Sequence, residues 1–385
     1  MKRLVFKSDD DRADGFAAVP PDVRYGSALP NALVQNLGAM PQRWGVAQRR
    51  VEPVAGRSKT IRTSGGRAAN RRSGIFTATI FSLLCFVLGS LAVVAQPAKP
   101  ATVRSNLLVS TDWLAKNLTS PKVVLMHVGQ TRKIYDEGHL PGARFLLYSD
   151  LITSRAGVVN ELPPIEKLQQ LFAQLGVSND SQVVLYCDVQ GLLAARTYFT
   201  LDYLGMGNNA ALLDGGLEKW KAEKRDVTTA VPEVKAGAFT PHLHPKVIAQ
   251  REAVRDLSWL AVNAEKPDTT LLDARQPEGY DGTIKRNDIP QSGHIPGAVN
   301  VYWTQNYVSK ESPTLKPVAE LRKQFEAAGA TPDKKVVTYC WIGMMASHAY
   351  FTLKYLGYDV AMYDGSFTEW AKSEGTQVVT GKNPK

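Results

Sequence analysis

The chain has 385 residues, a length that predicts two or three domains, and carries three cysteines and a formal net charge of +10. Residues 1–74 hold 14 Lys and Arg against 6 Asp and Glu, a net of +8, so the remainder carries only +2. A nearly neutral remainder disfavours a general nucleic-acid binder, and three cysteines in so long a chain exclude a disulfide-stapled scaffold.

The first predicted elements are a tail and an apolar segment. Residues 1–74 mix Arg, Gly, Pro and Ser without a sustained apolar period, which is typical of disorder. Residues 75–95 form an uncharged run of 21 residues, long enough to cross a bilayer. Because arginines precede this run and disfavour a buried core helix, the positive-inside rule predicts that the chain after it is exported to the periplasm or another extracytoplasmic space. The run is interpreted either as the h-region of a signal peptide or, if uncleaved, as the one transmembrane anchor.

The rest of the sequence contains an internal repeat of two similar copies. The stretch "YCDVQGLLAARTYFTLDYLG" in residues 181–223 is matched by "YCWIGMMASHAYFTLKYLG" in residues 334–374, and "GHLPGA" upstream is matched by "GHIPGA". Each copy alternates short apolar strands with helical stretches, a pattern that predicts an α/β fold with a mostly parallel sheet flanked by helices. The predicted domains cover residues 105–226 and 247–381, joined by a Pro-containing linker at residues 227–246.

In the second copy a lone cysteine stands between a strand and a helix. The run "KVVTYC" is a predicted strand that ends at Cys340, and the next helix is predicted to begin near Ala346 or Ser347. A tight turn of this kind directs backbone N–H groups into a concavity that favours negative charge. The sulfur of Cys340 should therefore have a pKa below the usual value of about 8.5, and Gly343 permits a mid-loop conformation that a side chain would obstruct.

Four motifs together resemble the tandem-domain form of the rhodanese family of sulfurtransferases. They are "LLDARQPEGYDG" at 271–282, "SGHIPGAVNVYW" at 292–303, "VVTYCWIGMMAS" at 336–347 and "YDGSFTEW" at 363–370. The resemblance covers residues 107–381 and implies two tandem rhodanese-like domains, the second of them catalytic.

The resemblance also implies a mechanism and a site. Cys340 would attack the outer sulfur of a small sulfane-sulfur donor such as thiosulfate or 3-mercaptopyruvate, carry it as a persulfide, and pass it to cyanide or a thiol. Arg275 would act electrostatically or form a structural ion pair, both readings being open. The loop backbone would cradle the persulfide and so bind substrate through Trp341, Ile342, Gly343, Met344, Met345 and Ala346. No cofactor, metal or nucleic-acid partner is implied, and the oligomeric state is left open.

Several positions depart from the family pattern. The loop carries apolar side chains where thiosulfate-using members often have cations, and Ile342 replaces the hydroxyl residue of the mercaptopyruvate branch. Many members have an arginine where this chain has Gly279. These differences leave room for an apolar or thiol-bearing donor or a protein partner, whereas Met344 and Met345 are interpreted as packing residues.

The first copy is predicted to be non-catalytic. Its loop "CDVQGLLA" is one residue longer than "CWIGMMA", which should widen the amide ring around Cys187. Asp188 should oppose thiolate formation there. The phosphatases related to this fold place an arginine six residues after the cysteine, but this chain has Leu193, which disfavours that activity.

Other sequence features allow alternatives. His139, His294 and His348 are interpreted as structural, and no zinc-ligand spacing is present. A non-catalytic binding module would suit the apolar loop. A redox module pairing Cys187 with Cys340 outside the cytoplasm is the third hypothesis.

Overall fold

The computed structural model describes residues 101–309 and 313–385. The predicted tail and the apolar segment at 75–95 lie outside these residues. Within the described ranges, no helix combines the length and the apolarity needed to span a membrane.

The first copy is built on a parallel five-stranded sheet with the order β1-β7-β6-β2-β3. Its elements in chain order are β1 (Leu108–Val109), α1 (Thr111–Asn117), β2 (Val123–Gly129), α2 (Lys133–Glu137), β3 (Arg144–Leu147), β4 (Thr153–Arg155), β5 (Val158–Glu161), α3 (Ile165–Gln174), β6 (Gln182–Cys187), α4 (Leu192–Tyr203), β7 (Ala210–Leu213) and α5 (Gly216–Ala222). Strands β4 and β5 form a separate antiparallel hairpin.

The second copy repeats this arrangement with a parallel sheet of order β11-β10-β8-β9. Its elements are α6 (Arg251–Asn263), β8 (Thr269–Asp273), α7 (Pro277–Tyr280), β9 (Val299–Asn300), α8 (Val318–Ala327), β10 (Lys335–Tyr339), α9 (Met344–Leu356), β11 (Asp359–Met362) and α10 (Ser366–Lys372). A parallel bridge between Ile248 and Met362 stands where β1 pairs with β7 in the first copy. The predicted parallel α/β architecture is confirmed.

The apolar strands form because both faces of each sheet are covered. In β6 and β10 every residue after the first is buried, as expected of central strands in a parallel sheet with helices on both sides. In each sheet the carboxyl ends of the parallel strands meet at one edge, which is where α/β proteins bind ligands. Cys187 lies at this edge of the first sheet and Cys340 at the same edge of the second.

The histidine of each "GH-PGA" turn is structural in both copies. His139 stacks on Tyr135 at 3.6 Å between ring centroids, and His294 stacks on Tyr280 at 3.8 Å. In each pair the histidine Nδ1 also hydrogen-bonds the tyrosine carbonyl, at 2.7 and 2.9 Å respectively. These contacts join the turn to α2 in the first copy and to α7 in the second.

The two copies share one apolar core through α4 and α9. Edge-to-face contacts join Tyr198 to Phe351 at 4.9 Å and Phe199 to Tyr350 at 5.2 Å between ring centroids. Both helices are buried almost around their whole circumference, so each is a core helix of the unit that spans residues 97–385. This packing brings elements of the first copy against the cysteine loop of the second.

Candidate active site

The cysteine loop of the second copy is a closed turn. Cys340 follows β10 directly and is 1% exposed. Helix α9 begins at Met344, two or three residues before the predicted start, because Gly343 adopts a left-handed φ of 82° and reverses the chain at once. This conformation is the one that the mid-loop glycine was expected to supply.

Backbone N–H groups surround the sulfur of Cys340, as predicted. Those of Ala346, Ile342 and Met345 are near enough to the sulfur to act on its pKa. The expected lowering of the thiol pKa is wrong, however. Burial raises the pKa of Cys340, the three amides act against this rise, and the negative charge of Asp273 adds to it. In the closed loop the desolvation of the thiolate thus outweighs the amide ring.

The first residues of α10 form hydrogen bonds with the backbone of the cysteine loop. The backbone N–H of Phe367 donates to the Cys340 carbonyl at 2.9 Å, and that of Thr368 donates to the Trp341 carbonyl at 3.0 Å. The Ser366 hydroxyl accepts from the Cys340 N–H at 3.3 Å. The motif "YDGSFTEW" therefore contributes to the site by binding the carbonyls of Cys340 and Trp341 through the first N–H groups of α10.

The first copy holds the same loop through Asn160 in β5. Asn160 Nδ2 donates to the Ile342 carbonyl at 2.7 Å, and the Tyr148 hydroxyl donates to Asn160 Oδ1. Because the C=O and N–H of one peptide point in opposite directions, this bond turns the N–H of Gly343 away from the first copy. The sequence did not point to Asn160, which lies outside the repeated motifs, or distinguish Tyr148 from its neighbours after "GHLPGA". In the structure Asn160 has a φ of 70°, a left-handed conformation in which asparagine is enriched.

A buried ion pair between the copies lies against Gly343. Arg196 of α4 binds both carboxylate oxygens of Asp364, the second at 3.2 Å, and also donates to the Asn160 carbonyl at 2.6 Å. A Cβ at Gly343 would lie 2.8 Å from Asp364 Oδ1 and 2.9 Å from Arg196 Nη1. Sequence analysis also missed this pair, although an arginine inside the apolar run "LLAARTYFTL" indicates a buried partner.

Arg275 takes the structural ion pair that the sequence left open, and one of its nitrogens remains unused. Its Nε donates to both oxygens of Asp273 at 2.9 and 3.0 Å, and its Nη2 donates to the Gly293 carbonyl at 2.7 Å. The guanidinium lies between the rings of Trp341 and Phe367, at 4.2 and 4.1 Å from their centroids. Nη1 is buried without a hydrogen-bond partner among the described residues, and the arginine is near enough to Cys340 to interact with it electrostatically.

Trp341 explains the missing arginine at position 279. A Cβ added at Gly279 would lie 2.9 Å from Trp341 Cζ2, so the indole occupies the space that a side chain there would need. The same ring lies 4.9 Å from the Arg286 guanidinium carbon. The glycine at position 279 and the tryptophan at position 341 are therefore linked departures from the family pattern. The indole ring, which lies beside two arginines, fills the space that a side chain at position 279 would occupy. Met344 and Met345 pack against the core, as predicted.

The first-copy loop keeps backbone groups around its cysteine despite the additional residue. Gln190 has a φ of 40°, and its carbonyl accepts a hydrogen bond from the Tyr307 hydroxyl. The backbone groups of Ala194, Val189 and Leu193 still act to lower the pKa of Cys187, and its Sγ donates to the Val189 carbonyl at 3.7 Å. Burial raises the pKa of Cys187 to about 11, these amides oppose the rise, and Asp188 adds to it as expected. Cys187 and Cys340 are both free thiols.

A model of the rhodanese-like domain matches residues 110–223 and 256–373. The chain belongs to the rhodanese family. It is 36% identical to the sulfur carrier protein TtuD of Thermus thermophilus, over 72% of this chain and 97% of that protein. It is 33% identical to a putative thiosulfate sulfurtransferase of Mycolicibacterium smegmatis, over 72% and 99% of the two chains. The fold is also similar to that of YnjE, with a TM-score of 0.63, 24% identity, and coverage of 72% and 69%.

This rhodanese has a cleft of about 820 Å³ between the β4–β5 hairpin and the start of α10. Acidic and basic side chains both line it, among them Glu161, Glu369, Arg251 and Lys372. Burial, and next the charge of Asp364, raise the pKa of Glu161 to about 7. No group of three or more metal-ligating side chains occurs among residues 101–309 and 313–385.

We expect the Glu161 carboxyl to make stability fall with rising pH. A carboxyl whose folded pKa is raised contributes stability below its ordinary range, and that contribution is lost as pH rises from about 4.5 through about 7. Glu161→Gln should remove this loss, so the free energy of urea unfolding should favour the variant increasingly toward pH 7. Glu166→Gln, at an exposed site on α3, is the control. Parallel pH curves for wild type and Glu161→Gln would contradict the assignment.

Asn160→Asp should weaken the loop without changing its shape. Aspartate tolerates a left-handed φ but cannot donate to the Ile342 carbonyl, and it places a negative charge beside the thiol. We expect the pH profile of Cys340 alkylation to shift to higher pH and neutral-pH sulfur transfer to fall about tenfold, equivalent to the loss of one hydrogen bond to a loop peptide. Asn263→Asp, exposed at the end of α6, is the matched control. An unchanged alkylation profile would rule out the positioning role.

Proposed function

We propose that this rhodanese is a sulfurtransferase in which Cys340 carries a sulfane sulfur between a small donor and a thiophilic acceptor. The observation that carries the proposal is the ring of N–H groups from Ile342, Met345 and Ala346 around the Cys340 sulfur. These groups are placed to stabilise a thiolate and the terminal sulfur of a persulfide. The relatives named as sulfur carrier and thiosulfate sulfurtransferase support the same activity.

The proposed reaction balances without an oxidant. With thiosulfate as donor, the Cys340 thiolate attacks the outer sulfur, the S–S bond breaks, and sulfite leaves with the electron pair. Cyanide or a thiolate then attacks the outer sulfur of the persulfide, and the Cys340 thiolate is released. With 3-mercaptopyruvate the same attack at sulfur releases pyruvate after protonation of its carbon. The unpartnered Nη1 of Arg275 is a suitable donor for the negative charge that each donor brings.

The experiment is an initial-rate assay of the full chain with thiosulfate or 3-mercaptopyruvate as donor and cyanide as acceptor, measuring thiocyanate. We expect parallel double-reciprocal lines, because a covalent carrier releases the first product before the acceptor binds. Failure to form thiocyanate above the uncatalysed rate with either donor would overturn the proposal and favour the non-catalytic binding module.

We also propose that the protein acts outside the cytoplasm. The support is the uncharged run at residues 75–95 and the arginines before it. A fusion of residues 1–105 to a reporter that is active only after export would test this. Reporter activity that survives replacement of the run by a charged sequence would contradict it.

A further inference from the structure

Cys187, in the copy predicted to be non-catalytic, lies beside a small cavity. The cavity has a volume of about 20 Å³ and is lined by Cys187 and Ala194 from the first copy and by Tyr307 and His348 from the second. A cavity needs roughly 10–15 Å³ to hold one water molecule. This one therefore has room for a single additional atom of that size.

The surroundings of the Cys187 sulfur repeat those of Cys340. The backbone groups of Val189, Leu193 and Ala194 that lower the pKa of Cys187 match those of Ile342, Met345 and Ala346 at Cys340, although the first loop contains one more residue. Cys187 is 2% exposed and Cys340 1% exposed, so burial does not distinguish the two thiols. The same anion-stabilising ring is thus present twice.

An unused hydrogen-bond donor from the other copy completes the cavity. Asn306 Oδ1 accepts from Gln324 at 2.8 Å, which orients the amide so that its Nδ2 donates to His348 Nδ1 at 3.3 Å. Burial lowers the pKa of His348 to about 3, so the ring is neutral and its proton is on Nε2. Nε2 is buried and has no hydrogen-bond partner among the described residues, and the side chain is 1% exposed.

We propose that Cys187 is a second sulfur-carrying thiol, whose persulfide places its terminal sulfur in the cavity and accepts a hydrogen bond from His348 Nε2. The proposal rests on the sulfane-sulfur chemistry proposed above. The Cys187 thiolate attacks the outer sulfur of the donor, the donor S–S bond breaks, and sulfite leaves from thiosulfate with the electron pair. The proton of the thiol goes to solvent, and no oxidant is needed. Because burial raises the pKa of Cys187 to about 11, its loading is slow at neutral pH and rises about tenfold per pH unit with the thiolate fraction.

The test uses the full chain carrying Cys340→Ser, so that the second copy cannot hold sulfur. The protein is incubated with thiosulfate at pH 7, 8 and 9 and digested, and the Cys187 peptide is examined by mass spectrometry. We expect a mass gain of one sulfur atom that grows with pH and is absent when Cys187→Ser is added. Adding His348→Phe, which keeps a ring but removes the donor, should shorten the lifetime of the adduct about tenfold. His348→Gln, which keeps an N–H donor, should restore most of it.

The outcomes separate the two proposals. Sulfur on Cys340 in the wild type, with none on Cys187 in Cys340→Ser at any of the three pH values, overturns the second carrier and leaves the main function standing. An adduct on Cys187 with the same lifetime in His348→Phe overturns the cavity assignment. Absence of sulfur from both cysteines in the wild type overturns both proposals. Circular dichroism of each variant shows whether it is folded. If the His348→Phe variant is unfolded, the result for Cys340→Ser alone decides whether Cys187 carries sulfur.

Discussion

Cys340→Ser is expected to abolish sulfur transfer from thiosulfate to cyanide, with a loss of at least about a thousand-fold in kcat/KM. A serine hydroxyl is isosteric enough to keep the loop closed, but it does not ionise at neutral pH and cannot form a persulfide. The buried position of Cys340, with its sulfur inside three N–H groups, means that no neighbouring thiol can replace it in the same ring. Thiocyanate formation measured on the full chain checks this expectation.

The matched comparison is Cys187→Ser, the same chemical change in the equivalent loop. Because burial raises the pKa of Cys187 to about 11, its thiolate fraction at neutral pH is small, and this variant should retain most of the turnover. Thermal unfolding of both variants shows that neither effect comes from a loss of fold. Thiocyanate formation that persists in Cys340→Ser and disappears in Cys187→Ser would reverse the assignment of the two copies.

Arg196→Met is expected to destabilise the protein by about 3–5 kcal/mol, the usual cost of removing one partner of a buried ion pair. The guanidinium is fully buried and neutralises Asp364, whose side chain is only 8% exposed. Methionine fills much of the space but leaves the carboxylate uncompensated and the Asn160 carbonyl without its donor. Since Gly343 packs directly on this pair, the variant should also lose sulfur transfer. Urea unfolding at pH 7 measures the first effect and thiocyanate formation the second.

Two further variants make this prediction specific. Arg225→Met removes a partly exposed arginine that pairs with Asp112 and Glu223, and it should change the unfolding free energy much less because ion pairs at the surface contribute little. Adding Asp364→Asn to Arg196→Met removes the stranded charge and should recover part of the loss. Equal destabilisation by Arg196→Met and Arg225→Met would show that the buried pair is not the cause.

Much of the candidate site could be predicted from local sequence patterns. The strand–cysteine–glycine–helix order around Cys340 predicted the amide ring, because a turn of that length determines where the N–H groups point. The duplicated "GH-PGA" and "YFTL" stretches predicted two similar parallel sheets. The pKa of Cys340 was not readable, since it depends on how completely the closed loop excludes water and on the charge of Asp273.

The contacts between the copies were also out of reach. Asn160 and Ile342 are 182 residues apart, and Arg196 and Asp364 are 168 apart. No local sequence pattern predicts contacts over such separations, and both contacts exist only because α4 and α9 pack against each other. His348 corresponds to Arg196 when the two copies are aligned, yet one lines the Cys187 cavity and the other binds Asp364.

The amino-acid sequence alone determined the family, the two parallel sheets and the identity of the loop cysteine, because each depends on neighbours within a few residues. Only the tertiary structure decided the direction in which the pKa of each thiol is shifted and the contacts that each copy makes with the loop of the other. Burial and contact between distant segments set these properties, and both arise when the two copies close over a common core.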